Sequence, residues 1–181
     1  MNMFVKHDTK SSPSAAAKVL EGAQQRYGFV PNLAAYLAEA PAVLSTVLSL
    51  SHEFDQTSFT AREQQIILLT ASTANDCSYC KAAHSALGKM AGIERDDLDA
   101  IVNKTALPDS QLEALRRFTE QVVNKRGWVP ETDIQSFIDA GYTRAQVFEV
   151  VLGVALKTLT NYSNHLVGAE PNEEFLAMVA G

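Results

Sequence analysis

The apolar positions of this chain gather into stretches of helical length, each closed by a turn signal, and not into the alternation of a half-buried strand. From Ser14 to Tyr27 good helix formers run unbroken, and Gly28 with Val30, Pro31 and Asn32 supplies a stop and a turn. Asn32 can cap a short helix through Ala38. Pro41 stands where a first helical turn tolerates it, and Val43, Val47, Leu48 and Leu50 carry an apolar face on towards Phe54. Thr60 and Glu63 have capping-box spacing and open the run Ile66, Ile67, Leu68, Leu69 and Ala71, which is apolar nearly all round, as a buried central helix requires. Asn75 and Asp76 are N-cap types, so that helix ends or bends there, and a second follows from Cys77 to Met90, closed by Gly92. Glu94 to Asn103, Asp109 to Arg126 and Glu131 to Ala140 read as three more helices, separated by Pro108 and by Gly127-Trp128-Val129-Pro130. Thr143 caps a long helix through Val147, Phe148, Val150, Val151, Leu152, Val154, Leu156 and Leu159, whose β-branched content suits a strand but whose length favours helix. With no repeat and no sustained strand period, the pattern predicts an all-α fold of about eight helices.

Composition sets the scale and removes several function classes. The 181 residues, 46% of them hydrophobic, supply one packed core, so a single domain over 1–181 is expected, with 1–13 as a mobile N-terminal tail. The net charge of −6 and the scattered Lys and Arg residues leave no electrostatic footprint for nucleic acid. No apolar run reaches the roughly 18 to 20 residues of a membrane span, and the first residues lack an apolar signal core, so the protein is expected to stay in the cytoplasm, off the membrane. Cys77 and Cys80 are the only cysteines, too few for a disulfide scaffold and too close in sequence for a structural staple to close a useful loop.

Cys77-Ser-Tyr-Cys80 followed by His84 is the one dense cluster of reactive side chains. On a helix the two cysteines are i and i+3 and His84 is i+4 from Cys80, so all three share one stripe. If Asn75 or Asp76 caps that helix, Cys77 lies in its first turn, where unpaired backbone N–H groups favour a thiolate. His84, with an ordinary pKa near cellular pH, can take a proton from a thiol or deliver one to a leaving oxygen. Such a pair supports a redox cycle: one thiolate attacks a peroxide oxygen, and the neighbouring thiol condenses with the sulfenic acid to a disulfide.

Other readings of the cluster stay open. Half of a zinc site is one, but there is no second cysteine pair, and four ligands would require His84 plus His7, His52 or His165, so no metal is expected. Two small buried cysteines and a satisfied core histidine are another, since Ala82, Ala83, Ala86 and Leu87 give this helix a packing face. Asn161, Tyr162, Asn164 and His165, at the end of the long helix, suit either a site lining or intersubunit contact, or a polar last turn whose His165 complements the helix dipole. His52 and Glu53 read as a solvated face, and Trp128 as packing over a helix end.

The segment from Glu63 through Cys77-Ser-Tyr-Cys80 to His84 resembles the core of the alkylhydroperoxidase AhpD-like branch of the carboxymuconolactone decarboxylase family. Val30-Pro31-Asn32-Leu33 upstream and Lys157 to His165 downstream are similar to its peroxidase-related members. The resemblance implies an all-helical AhpD-like domain with the cysteine pair at the start of a central helix, assembled as a homotrimer or homohexamer. It implies a thiol peroxidase that takes hydrogen peroxide or organic hydroperoxides, is reset by a dithiol reductant and needs no cofactor. In that pattern Cys80 attacks, Cys77 resolves and His84 serves a proton relay, whereas helix-end electrostatics alone would make Cys77 the more acidic thiol. Two positions depart from it. The relay glutamate, twelve residues before the first cysteine, is here Gln65, and the histidine between the cysteines is Tyr79, a hydrogen-bond donor and not a base at neutral pH. Glu63, two residues before Gln65, is turned about 200° round a helix from it and makes a poor substitute. A decarboxylase acting on a small lactone acid, and a redox-sensing or interaction protein without efficient turnover, are the alternatives.

Overall fold

A computed structural model describes residues 3–180, and among them every regular element is a helix. The order is α1 (Ser14–Tyr27), α2 (Asn32–Leu37), α3 (Pro41–Asp55), α4 (Ala61–Ala74), α5 (Ser78–Met90), α6 (Arg95–Val102), α7 (Ser110–Asn124), α8 (Glu131–Asp139), α9 (Arg144–Val167) and α10 (Glu173–Ala180). The all-α expectation holds, with ten helices among the described residues against about eight expected; the short α2 was anticipated from Asn32 and α10 was not. The Thr60–Glu63 capping box forms as its spacing requires and opens α4, and Thr143, the expected cap of α9, forms a second box with Gln146.

Two boundaries differ from the pattern in ways that shape the site. Asn75 closes α4, Asp76 turns the chain at φ 53°, and Cys77 becomes the N-cap of α5, which makes Cys80 the third residue of that helix. The left-handed turn suits Asp, whose short side chain tolerates that conformation, and its carboxylate accepts from Lys81 Nζ at 2.8 Å. The second concerns the polar end of α9. The turn from Asn161 to His165 belongs to the helix, as expected, but α9 runs on to Val167 and ends on Gly168 at φ 63°, with Asn161 and Asn164 buried while Tyr162 and His165 are exposed.

α4 is the axle. It packs against α5, α6, α7 and α9, and its residues from Ile66 to Thr73 are all buried. On one side lies an aliphatic and aromatic core in which Phe137 stacks between Phe118 and Tyr142, with ring centroids 4.4 and 4.5 Å apart. On the other, α1, α2, α5 and α10 bury Leu20, Leu33, Leu37, Phe175 and both cysteines. α9 crosses between them through Gly153, where an added Cβ would lie 2.7 Å from Phe54 and 2.8 Å from Ile67. Before α1, the His7 N–H donates to the Ala35 carbonyl and the His7 ring meets Glu39 at 2.6 Å. Trp128, expected over a helix end, is instead 87% exposed on the α7–α8 connection. Among the described residues no helix is long and apolar enough to cross a membrane.

Candidate active site

The start of α5 brings Cys77 and Cys80 together as free, buried thiols joined by a side-chain hydrogen bond. The Cys77 N–H donates to the Ser72 carbonyl at 3.0 Å, so the cysteine pair is tied to the end of α4.

The two sulfurs are electrically unlike. The hydrogen bond from Cys77 lowers the pKa of Cys80 to about 6 despite its burial, helped by the nearby Lys157 ammonium and by side-chain hydrogen bonds from Asn161 and Lys157. Cys77 moves far upward, because its proton is held by Cys80 and burial opposes a second negative charge. This reverses the helix-end reading. Cys77 is the cap itself and spends its S–H on Cys80, while Cys80 sits inside the first turn beside a buried cation. The pair titrates as a unit whose first proton comes off to leave a Cys80 thiolate.

Lys157 is the residue that sequence reasoning did not assign. It is 4% exposed, it is the sole lysine of α9, and its Nζ donates to His84 Nε2 at 2.8 Å. A lysine between Leu156 and Thr158 in an otherwise apolar helix was the signal available in the sequence. Because an ammonium only donates, His84 Nε2 must accept, and the ring proton lies on Nδ1, which donates to Gln65 Oε1 at 3.0 Å. Burial, and then the Lys157 charge, hold the His84 pKa well below its ordinary value, so the ring is neutral. The polar chain therefore runs Gln65, His84, Lys157, Cys80, Cys77, with Lys157 interposed between the histidine and the sulfur. Asn161 is set by Asn75, whose side-chain N–H donates to Asn161 Oδ1 at 2.9 Å, which leaves the Asn161 amide nitrogen buried, otherwise unpaired and close enough to Cys80 to help lower its pKa.

The remaining candidates lie elsewhere. The Tyr79 hydroxyl accepts from the Leu33 N–H at 3.4 Å and donates to Asn172 Oδ1 at 3.2 Å, and burial raises its pKa. It ties α2, α5 and the approach to α10 together without joining the chain. Glu63 serves the Thr60 cap at 2.9 Å and stands apart from the thiols. His52 is exposed, and His165 lies against Tyr162 on the exposed side of α9. Among the described residues no group of three His, Cys, Asp or Glu could hold a metal ion.

Beside this chain opens a cavity of about 430 Å³ between α1, α2, α3, α4, α5, α9 and α10. Leu33, Leu37, Leu44, Leu68, Tyr79 and Phe175 give it apolar walls, and Gln65, His84, Lys157 and Thr160 give it one polar side. Its size is that of a small organic ligand. Lys157 borders both the cavity and the Cys80 sulfur.

Comparison with known proteins adds to this geometry. The model of the carboxymuconolactone decarboxylase family matches residues 27–121, which include Gln65, both cysteines and His84 but stop before Lys157. No curated protein matches the chain. A solved structure described as an alkylhydroperoxidase AhpD core, an uncharacterised peroxidase-related protein from Ralstonia eutropha JMP134, superposes with a TM-score of 0.89 at 23% identity, covering 99% of this chain and 97% of that one. A peroxidase-related protein from Silicibacter sp. TM1040 gives 0.79 at 21% identity over 90% and 87%. A cysteine-to-alanine variant of the debrominase Bmp8, in complex with 2,3,4-tribromopyrrole, gives 0.82 at 17% identity over 99% and 97%. These likenesses establish a shared fold.

Proposed function

The chain belongs to the carboxymuconolactone decarboxylase family, with the AhpD-like fold, and we propose that within it this protein is a thiol-dependent peroxidase acting through a Cys80–Cys77 dithiol/disulfide cycle. One observation carries the reading: two free thiols buried together at the start of α5, where Cys77 and the buried Lys157 lower the Cys80 pKa to about 6. A thiolate attacks a hydroperoxide oxygen, and a thiol already in contact resolves the sulfenic acid before further oxidation. The apolar cavity beside Lys157 supports organic hydroperoxides as substrates alongside hydrogen peroxide.

Thiol titration before and after one equivalent of hydroperoxide tests this. Two thiols should vanish, and an unchanged count would sink the proposal. Cys80→Ser should abolish turnover, whereas Cys77→Ser should leave a sulfenic acid on Cys80 that a carbon nucleophile traps; trapping on Cys77 with Cys80 dispensable would reverse the roles. The same proposal includes a dithiol as reductant and a homotrimer or homohexamer as the working form, and α9 leaves Phe148, Val151, Tyr162 and Leu166 exposed for such packing. Sedimentation measures that state.

A second reading draws on the same cavity. The debrominase of shared fold is bound to a brominated pyrrole, and an apolar chamber beside a thiolate suits reductive removal of bromide from such a ring. Bromide release, with loss of two thiols per ring reduced, would distinguish it. A family-type decarboxylation needs neither cysteine, so full activity in a double Cys→Ser variant would favour that chemistry instead.

A further inference from the structure

The thiolate's attack on a hydroperoxide expels an alkoxide, and some group must protonate it. His84 is poorly placed to do so. Its one ring proton is committed to Gln65 at 3.0 Å, and its free lone pair already meets Lys157 at 2.8 Å. Gln65 does not titrate. The Tyr79 hydroxyl is engaged with Leu33 and Asn172. Cys77 must keep its proton until the resolving step.

Lys157 alone meets both geometric conditions. Its ammonium lies close enough to Cys80 to lower that thiol's pKa, and its side chain lines the cavity in which a hydroperoxide would lie. It is also an unusual cation: 4% exposed, and paired with no Asp or Glu among the described residues. Arg116, the other deeply buried cation, has Glu113 and Glu120 beside it. The counter-charge of Lys157 is therefore the Cys80 thiolate itself, and that charge disappears when Cys80 enters a disulfide. A buried ammonium without a counter-charge is costly.

Resting on the peroxidase reading above, we propose that Lys157 is the proton carrier of the cycle: it gives its proton to the leaving oxygen and stays neutral while the disulfide stands. In the first step the bond from Cys80 Sγ to oxygen forms, the O–O bond breaks, and the Lys157 proton passes to the alkoxide. The products are Cys80 sulfenic acid, an alcohol and a neutral Lys157 amine. Cys77 then attacks Cys80 Sγ, the S–S bond forms, the S–O bond breaks, and the Cys77 proton leaves with the hydroxyl as water. The two sulfurs are oxidised by two electrons and the peroxide is reduced by two. A dithiol resets the site with two electrons and two protons, one returning to Cys77 and one to Lys157. Throughout, an N–H of Lys157 continues to donate to His84 Nε2, since a neutral amine retains donors. The His84–Gln65 pair is thus a positioning device that serves both charge states.

The wild-type protein tests this through a proton count. Reduced protein is mixed with one equivalent of hydroperoxide at neutral pH in weakly buffered solution containing a pH indicator, with thiols titrated in parallel. If Lys157 supplies the proton and stays neutral, two thiols vanish with no net proton uptake. Uptake of one proton per disulfide would show that the solvent supplies it and would overturn the proposal while leaving the peroxidase reading intact. If no thiols vanish, the peroxidase reading fails and this inference falls with it.

Two substitutions separate charge from proton transfer. Lys157→Arg keeps a fixed cation that does not release a proton, and Lys157→Met removes both properties. Alkylation of Cys80 by iodoacetamide needs the thiolate but no proton donor, because iodide leaves unaided. In the Arg variant alkylation should stay near the wild-type rate while peroxide reduction falls about 100-fold or more, the usual size of a lost general acid; in the Met variant both should fall. An Arg variant whose alkylation and peroxide rates change by the same factor would reduce Lys157 to a charge and overturn its role as donor.

Discussion

Cys80 and Cys77 are the same side chain three positions apart, and their environments push them in opposite directions. Cys80 is an acid with a pKa depressed to about 6, so its thiolate fraction grows as pH rises through that value. The rate of Cys80 alkylation should therefore climb from mildly acidic pH, with a midpoint near about 6, and flatten by neutrality. In Asn161→Ala the midpoint should move upward, since one hydrogen bond to the thiolate is lost; an unmoved midpoint would count against Asn161 as its donor. His84 gives a stability prediction of definite sign. Its folded pKa lies well below the ordinary value, so below about pH 6.5 the unfolded chain binds a proton that the folded chain refuses, and stability falls as pH drops. His84→Asn should show a smaller loss of thermal midpoint between neutral and mildly acidic pH than the wild type. Gln65 completes the residue scale: where the AhpD pattern has a titrating glutamate, an amide oxygen here fixes the histidine tautomer, and the ionisable partner comes from α9 instead.

Helices carry these side chains to their places, and their ends and close approaches matter more than their lengths. The Thr60-x-x-Glu63 capping box and the Thr143 cap were readable because capping is local chemistry, and each cap contributes on the order of 1 kcal/mol. Which residue would cap α5 was not readable. Asn75 and Asp76 are both better N-cap types than Cys77, but tertiary packing spends them on closing α4 and on the turn at φ 53°. That shift of one residue places Cys80 in the first turn of α5. Gly153 is the narrowest element contact near the site. Gly153→Ala would force its new methyl against Phe54 and Ile67, so it should destabilise the fold by about 1–3 kcal/mol, measurable by denaturant titration. Little or no change would mean that α9 can move away from α3 and α4.

For the whole molecule, the decisive feature is that two packed clusters meet at α4 and α9 and leave a cavity of about 430 Å³ beside the polar chain. Filling it should discriminate between substrates. Ala83→Met, on the cavity wall, should raise KM for a bulky aryl hydroperoxide about tenfold or more while hydrogen peroxide reduction stays near wild type, because small volume changes in an apolar pocket act on the ligands that fill it. Equal effects on both substrates would show that the cavity is not where the organic group lies. Neither this cavity nor Lys157's place in it could be read along the chain, since its walls come from residues as distant as Leu33 and Phe175. What the amino-acid order settled was everything of short range: helical periodicity, the Thr60–Glu63 capping box, the stripe shared by Cys77, Cys80 and His84, and the family resemblance those residues carry. The three-dimensional packing decided which cysteine is the thiolate and what charge holds it. An electrostatic environment is the sum over neighbours in space, and the cation that helps hold the Cys80 thiolate is 77 positions away in the chain.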